Sequence, residues 1–247
     1  AVEEIQRKGG TVLGVVNSVG STIARTCAGG VYLHAGPEVA VVSTKTFICT
    51  LTVFALIGLY LGRMKDVSPA EGKRLLTALE ELPEQMREVL AREDEFAEVG
   101  RKYARYDHAY VIGRNEGFAL AMEGALKLKE VSYIHAEAYP ASELKHGPLA
   151  LITPETPTVA IVPNDDLVEK NMATIEEIKA RHGPVLAIAQ GELPVAVEDL
   201  LIVPETHELL APILMLLPLQ LLAYHAALAR KCDVDQPRNL AKSVTVE

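Results

Sequence analysis

Residues 175–189 read IEEIKARHGPVLAIA, and residues 2–16 repeat the phrase as VEEIQRKGGTVLGVV. The two align without a gap, so that Glu3, Glu4, Ile5, Gly10, Val12 and Leu13 return as Glu176, Glu177, Ile178, Gly183, Val185 and Leu186. Each copy opens as a helix, stops at a glycine and enters a short run of Val, Leu and Ala that reads as a buried strand. Downstream, VYLHAGPE at 31–38 parallels LLIVPE at 200–205, and each is followed by a long apolar run, 46–62 and 209–228. Both units therefore read helix, strand, loop, second strand, long apolar helix. Short buried strands alternating with helices predict a parallel sheet covered on both faces. Two copies predict a duplicated α/β fold.

The copies are not equally complete. Ahead of the second lie strands at about 108–112 and 158–162, with a helix at 116–131 between them, whereas the first starts directly at Val2. Residues 1–66 are therefore expected to be the C-terminal part of a first subdomain, truncated on its N-terminal side. Residues 67–96 are expected to form a charged helical linker interrupted at Pro83. Residues 97–232 make the second subdomain, and 233–247 a Pro-containing tail without helical or strand periodicity. In an open parallel sheet, ligands sit at the carboxyl ends of the strands. In the second copy that loop is Pro163-Asn164-Asp165-Asp166, whose two acids repel a phosphate. The hydroxyl-rich stretch 17–22 in the first copy reads as a loop capping the next helix.

Hydrophobic residues make up 49% of the 247 and charged residues 23%, an ordinary globular balance with ample length for a core. A net charge of −9 and a pI near 5.4 leave no global electrostatic case for nucleic acid or an anionic membrane. Three widely spaced cysteines, Cys27, Cys49 and Cys232, suit a reducing compartment and a cytoplasmic protein, and no CxxC pair suggests a metal. The chain opens on an amphipathic helix rather than a signal peptide. Both apolar runs sit at or below the ~20 residues of a spanning helix, and both read as buried core helices.

The chemistry concentrates in residues 116–151, EGFALAMEGALKLKEVSYIHAEAYPASELKHGPLAL. Its first part is rich in strong helix formers. Glu123, Lys127 and Glu130 fall at i, i+4 and i+7 and share one stripe. Such a stripe is commonly a solvated face, but here Leu120, Ala121, Leu126, Leu128 and Val131 leave no cleanly polar side, as in a helix entering the interior. Buried charges need partners or a task. Glu143-Leu144-Lys145-His146-Gly147-Pro148 then places a histidine on a loop, and carboxylate, lysine and histidine together can make an acid–base site.

GALKLKE at 124–130, HAEAY at 135–139, ELKHGPLAL at 143–151 and the tail DVDQPRNLAKSVTVE at 233–247 closely resemble the sugar-isomerase part of glutamine–fructose-6-phosphate aminotransferase (glucosamine-6-phosphate synthase). The resemblance covers essentially the whole chain, including a VASTK-like Val41-Val42-Ser43-Thr44-Lys45. It implies duplicated three-layer, flavodoxin-like sugar-isomerase (SIS) subdomains, no cofactor and no metal. The family reaction combines fructose 6-phosphate with ammonia from glutamine and isomerises the product to glucosamine 6-phosphate. Glu130 matches the base that moves a proton between C1 and C2, and apolar neighbours are expected to raise its pKa. His146 matches the ring-opening histidine, contributed from the neighbouring subunit of a dimer. Lys127 stands one turn before the base, Glu123 orients it, and Lys242 matches the lysine that meets the sugar carbonyl. Val41 and Ser43 match sugar-contacting positions at the mouth of the first apolar helix, where backbone N–H groups are free, or Ser43 is an N-cap. Ala241 contributes backbone contact.

Two parts of the family pattern have no counterpart. Its Ser/Gly/Thr-rich phosphate loop falls, by the register of the repeat, just before residue 1. Its glutamine-hydrolysing domain begins with a cysteine nucleophile, for which Ala1 is no substitute. The chain is therefore expected to be a fragment, incompetent alone for the full reaction. Two other readings share the fold: a non-catalytic sugar-phosphate-binding module, which needs no base, and a plain phosphosugar isomerase, which has no use for the tail.

Overall fold

The computed structural model describes residues 1–191 and 196–243 and divides into two compact units. One comprises residues 1–39 and 43–72, the other residues 40–42 and 73–247.

In the first unit, α1 (Val2–Arg7) leads to β1 (Leu13–Val16), a short α2 (Thr22–Thr26), β2 (Gly29–Tyr32) and the long α3 (Lys45–Arg63). β1 and β2 pair in parallel, with Leu13 opposite Gly29 and Val16 opposite Tyr32. The second strand thus starts at Gly29, two residues before the expected 31. Gly30 explains why the glycines belong to the strand: a Cβ there would lie 1.9 Å from the Gly14 carbonyl oxygen, so only glycine permits this approach. Ser21 caps α2 by accepting from the Ala24 N–H at 3.3 Å, as the hydroxyl-rich loop suggests.

α3 corrects the reading of both apolar runs as core helices. Only 11% of its apolar window is buried, and Val53 and Leu59 are its sole buried residues. A helix apolar all round needs cover on several sides, and this unit offers one two-stranded sheet. By length and composition alone, α3 and α8 (Ala211–Ala229) are long and apolar enough to cross a membrane. The α8 run, counted from Glu208, is 72% buried and serves as a core helix.

The second unit begins within α4 (Pro69–Leu90), which runs unbroken through Pro83, contrary to the expected interruption. Leu75, Leu82 and Val89, seven residues apart, are all buried and form a packed seam, while Pro83 lies on the exposed side where water can serve the carbonyl it leaves free. α5 (Glu93–Tyr103) follows, then β3 (His108–Gly113), α6 (Glu116–Lys127), β4 (His135–Pro140), β5 (Thr158–Val162), α7 (Val168–Lys179), β6 (Val185–Gln190), β7 (Asp199–Val203) and α8. The five strands form one parallel sheet in the order β4-β3-β5-β6-β7. β5 and β6 are buried along their whole length, as central parallel strands are. β4, not among the strands expected from the sequence, is one of the two edge strands, β7 being the other, and its register sets His135 against His108.

Packing closes where glycine replaces a side chain. A Cβ on Gly100 of α5 would lie 2.4 Å from His225 Cβ on α8, and one on Gly124 of α6 would lie 2.7 Å from Leu219 Cδ2 on α8. These contacts seat α8 against both neighbouring helices.

Candidate functional site

α6 does not end cleanly at Lys127. Leu128–Ser132 widens into a single π-helical turn, and Tyr133 terminates it in the left-handed region with φ +60° and ψ 19°. Such turns are uncommon and recur at functional sites. Here the turn carries Glu130. The Ser132 hydroxyl donates back to the Leu128 carbonyl at 2.7 Å. Arg230, at the end of α8, secures the turn from outside by donating to the carbonyls of Ser132, Ala104 and Tyr106 at 3.3, 2.9 and 2.6 Å.

The helix and turn converge three charges. Lys127 Nζ lies 2.5 Å from Glu130 Oε2 and 3.4 Å from Glu123 Oε1. Side-chain exposure is 4% for Lys127, 10% for Glu123 and 23% for Glu130. An almost dry ammonium therefore bridges two carboxylates, and Glu130 is the member that meets solvent. Burial pushes the Glu123 carboxyl above its usual range, opposed by the charge and hydrogen bond of Lys127 and reinforced by the charge of Glu130. A lysine held this way can stabilise a developing oxyanion, while the half-open carboxylate beside it can exchange a proton with a bound molecule.

The other sequence-derived residues lie in separate places. His146 is exposed at the end of a 3₁₀ turn, Leu144–His146, and lines a hollow of about 500 Å³ with Tyr110, Glu137, Tyr139 and Glu143. That hollow contains none of Glu123, Lys127, Glu130 or Lys242. Lys242 donates from Nζ to the Ala40 carbonyl at 2.7 Å, and the Val41 N–H donates to the Asp235 carbonyl at 2.9 Å, so the tail lies along residues 40 and 41. Ala241 is exposed.

Ser43 hydrogen-bonds the Thr46 hydroxyl at 2.6 Å and does not cap α3, whose N-cap residue is Thr44. The N–H groups expected to be free at that helix mouth are taken by Glu38, which accepts from the backbone of Thr44 and Thr46 at 2.9 and 3.3 Å and from the Thr46 hydroxyl at 2.7 Å. An acid six residues upstream of the N-cap residue carries no local capping pattern, so only the loop conformation exposes this role.

At the carboxyl ends of β3, β5 and β6 a hollow of about 410 Å³ is lined by Asn115, Glu116, Asn164, Asp165, Asp166 and Gln190, among others. Asp165 accepts from the Leu167 N–H at 2.8 Å and shapes the turn into α7. The position is where an open sheet takes a ligand, and its acids disfavour phosphate.

The SIS domain profile matches residues 102–230. The chain belongs to the SIS-domain family, in its glutamine–fructose-6-phosphate aminotransferase branch. It is 47% identical over 250 residues to the isomerizing glutamine–fructose-6-phosphate aminotransferase of Thermus thermophilus, and 47% identical over 251 residues to that of Symbiobacterium thermophilum. Each alignment covers 100% of this chain and 41% of the relative, so the chain spans about two fifths of the length of these relatives. Among solved structures, the C-terminal domain of glucosamine-fructose-6-phosphate aminotransferase from Francisella tularensis superposes with a TM-score of 0.91 at 33% identity, covering 95% of this chain and 68% of that one. The matched SIS region contains the whole five-stranded sheet, α6, the π-helical turn and the His146 loop, and stops at Arg230. The tail residues that meet Val41 and Ala40 lie beyond it.

Proposed function

We propose that this chain is the isomerase part of an enzyme that converts fructose 6-phosphate and ammonia to glucosamine 6-phosphate, the ammonia coming from a glutaminase domain of the complete protein. The observation that carries the reading is the Glu123–Lys127–Glu130 cluster, with its dry lysine and its one solvent-facing carboxylate. After ring opening, ammonia adds to the C2 carbonyl and water leaves, giving a C2 imine. Glu130 removes a proton from C1 as the imine nitrogen takes one up, giving the enolamine, and returns its proton to C2 as O1 gives up its proton. The net second transfer is one proton from O1 to nitrogen, leaving the C1 aldehyde and C2 amine of the product. Lys127 stabilises negative charge developing on the enol oxygen, and Glu123 orients Lys127. His146, supplied across a homodimer interface, serves ring opening, and its placement in a hollow separate from Glu130 fits supply to a neighbouring chain. Lys242 meets the sugar carbonyl, with Val41, Ser43 and Ala241 as sugar contacts. Residues 1–66 and 97–232 act as two SIS subdomains joined by the helical segment 67–96, the first completed by a phosphate-binding front. A cytoplasmic setting is supported by Cys27, Cys49 and Cys232, all free thiols.

The test is Glu130→Gln in the complete protein. Glucosamine 6-phosphate formation is expected to fall by about 10²–10⁴-fold, and exchange of the C1 proton with solvent to cease, while fructose 6-phosphate still binds. Wild-type turnover in that variant overturns the base assignment. Conversion of fructose 6-phosphate to an aldose phosphate as the main product, with or without ammonia, overturns the aminotransferase reading in favour of a plain isomerase.

A further inference from the structure

Among the described residues, the segment after α8 contains no helix or strand, so its contacts decide where it lies. Asp233 accepts from the N–H groups of Asp235 and Gln236 at 3.0 and 2.9 Å, which shapes the turn leaving the helix. The Asp235 carbonyl is held by Val41 and the Lys242 ammonium by the Ala40 carbonyl. Between these two fastenings sits Arg238, held by Tyr133 in two ways. The Tyr133 phenolic oxygen accepts from the Arg238 N–H at 2.8 Å, and the Arg238 guanidinium lies 4.1 Å over the centre of the same ring. Residues 40–42, Tyr133 and the tail all belong to one compact unit.

Tyr133 is also the residue that ends the π-helical turn bearing Glu130. A non-glycine side chain in the left-handed region is disfavoured and persists when surrounding contacts demand it. The sequence explains neither the strain nor the ring by packing alone, because a glycine or asparagine would end the turn at lower cost. The ring has a specific partner in Arg238.

We propose that Tyr133 is a positioning residue: it clamps Arg238, fastens the tail to the turn that carries Glu130, and so holds Lys242 in place for the reaction. The catalytic part of this proposal rests on the function proposed above for Glu130 and Lys242. The clamp itself rests only on the Tyr133–Arg238 geometry, and the two are tested separately.

On the chain as it stands, trypsin cleavage after Arg238, followed by mass spectrometry, reads the open population of the tail. Loss of a stacked cation and a hydrogen bond together in Tyr133→Leu is expected to raise that cleavage about tenfold or more. Tyr133→Phe, which keeps the ring, and Arg238→Lys, which keeps charge without the planar group, are expected to fall between. A melting temperature close to wild type confirms that the fold persists. Unchanged cleavage after Arg238 in a folded Tyr133→Leu protein overturns the clamp, whatever the activity.

In the complete enzyme, Tyr133→Leu is expected to lower kcat by about tenfold while fructose 6-phosphate binding changes less than about twofold, because the clamp acts on the reacting geometry. The same substitution in a Lys242→Ala background is expected to cost little more than Lys242→Ala alone. A full additional loss in that background overturns the route through Lys242. Wild-type turnover in Lys242→Ala overturns the role proposed for that lysine, and the cleavage result then decides the clamp independently.

Discussion

Glu123 is a buried carboxylate with a dry lysine beside it. Burial raises its pKa, so the folded state keeps its proton to a higher pH than the unfolded chain does. The sign follows directly: its contribution to stability is full below the usual value of 4.5 and is lost as pH rises through the raised folded value. Glu123→Gln, which stays neutral, is expected to show a smaller fall in urea midpoint than wild type between about pH 4.5 and 7; a parallel fall in both would contradict a raised pKa. Removing the partner has the opposite logic. Lys127→Met leaves two carboxylates facing each other with no cation between them, and a loss of about 3 kcal/mol is expected at pH 7, shrinking toward pH 4.5 as Glu123 protonates. The i, i+4, i+7 spacing placed these three residues on one stripe from the sequence alone. It did not reveal that the stripe passes through a π-helical turn, nor that Glu38 occupies the mouth of α3, because both depend on backbone conformation rather than on residue type.

At the scale of elements, helices with a packed seam outweigh local breakers. Pro83 was expected to interrupt the linker helix, and Leu75, Leu82 and Val89 keep α4 continuous across it. Pro83→Ala restores a missing backbone donor on an exposed face and is expected to raise the melting temperature, with a gain on the order of 1–3 kcal/mol. Gly100 makes the contrary case. A methyl group there meets the His225 Cβ at 2.4 Å, so Gly100→Ala is expected to cost about 1–3 kcal/mol by denaturant unfolding, despite the better helix propensity of alanine. β4 shows where periodicity is weakest. HAEAY does alternate, but its Ala residues and partial exposure give little contrast between faces, and only pairing with β3 identifies it as a strand.

At the scale of the whole molecule, the two units are unequal in what holds them together. The second buries a five-stranded sheet and most of α8, whereas the first has two paired strands, all of β2 exposed, and an α3 with two buried residues. Two-stranded pairings are marginal in water. Hydrogen exchange on this chain is therefore expected to release the amides of β1 and β2 well before those of β5 and β6; equal protection of both sheets would show that the first unit is stabilised in a way its own packing does not provide.

What the sequence determined by itself was the parallel α/β class, from a repeat whose glycines and short apolar runs admit little else, and the identity of the charged stripe on α6. What only tertiary structure decided was which of two equally apolar helices is buried, which strand closes the edge of the sheet, and which side chain seals a helix mouth. The reason is physical. Composition and period report what a segment can bury, while burial itself depends on how many neighbours stand around it, and neighbours distant along the chain leave no mark on local sequence.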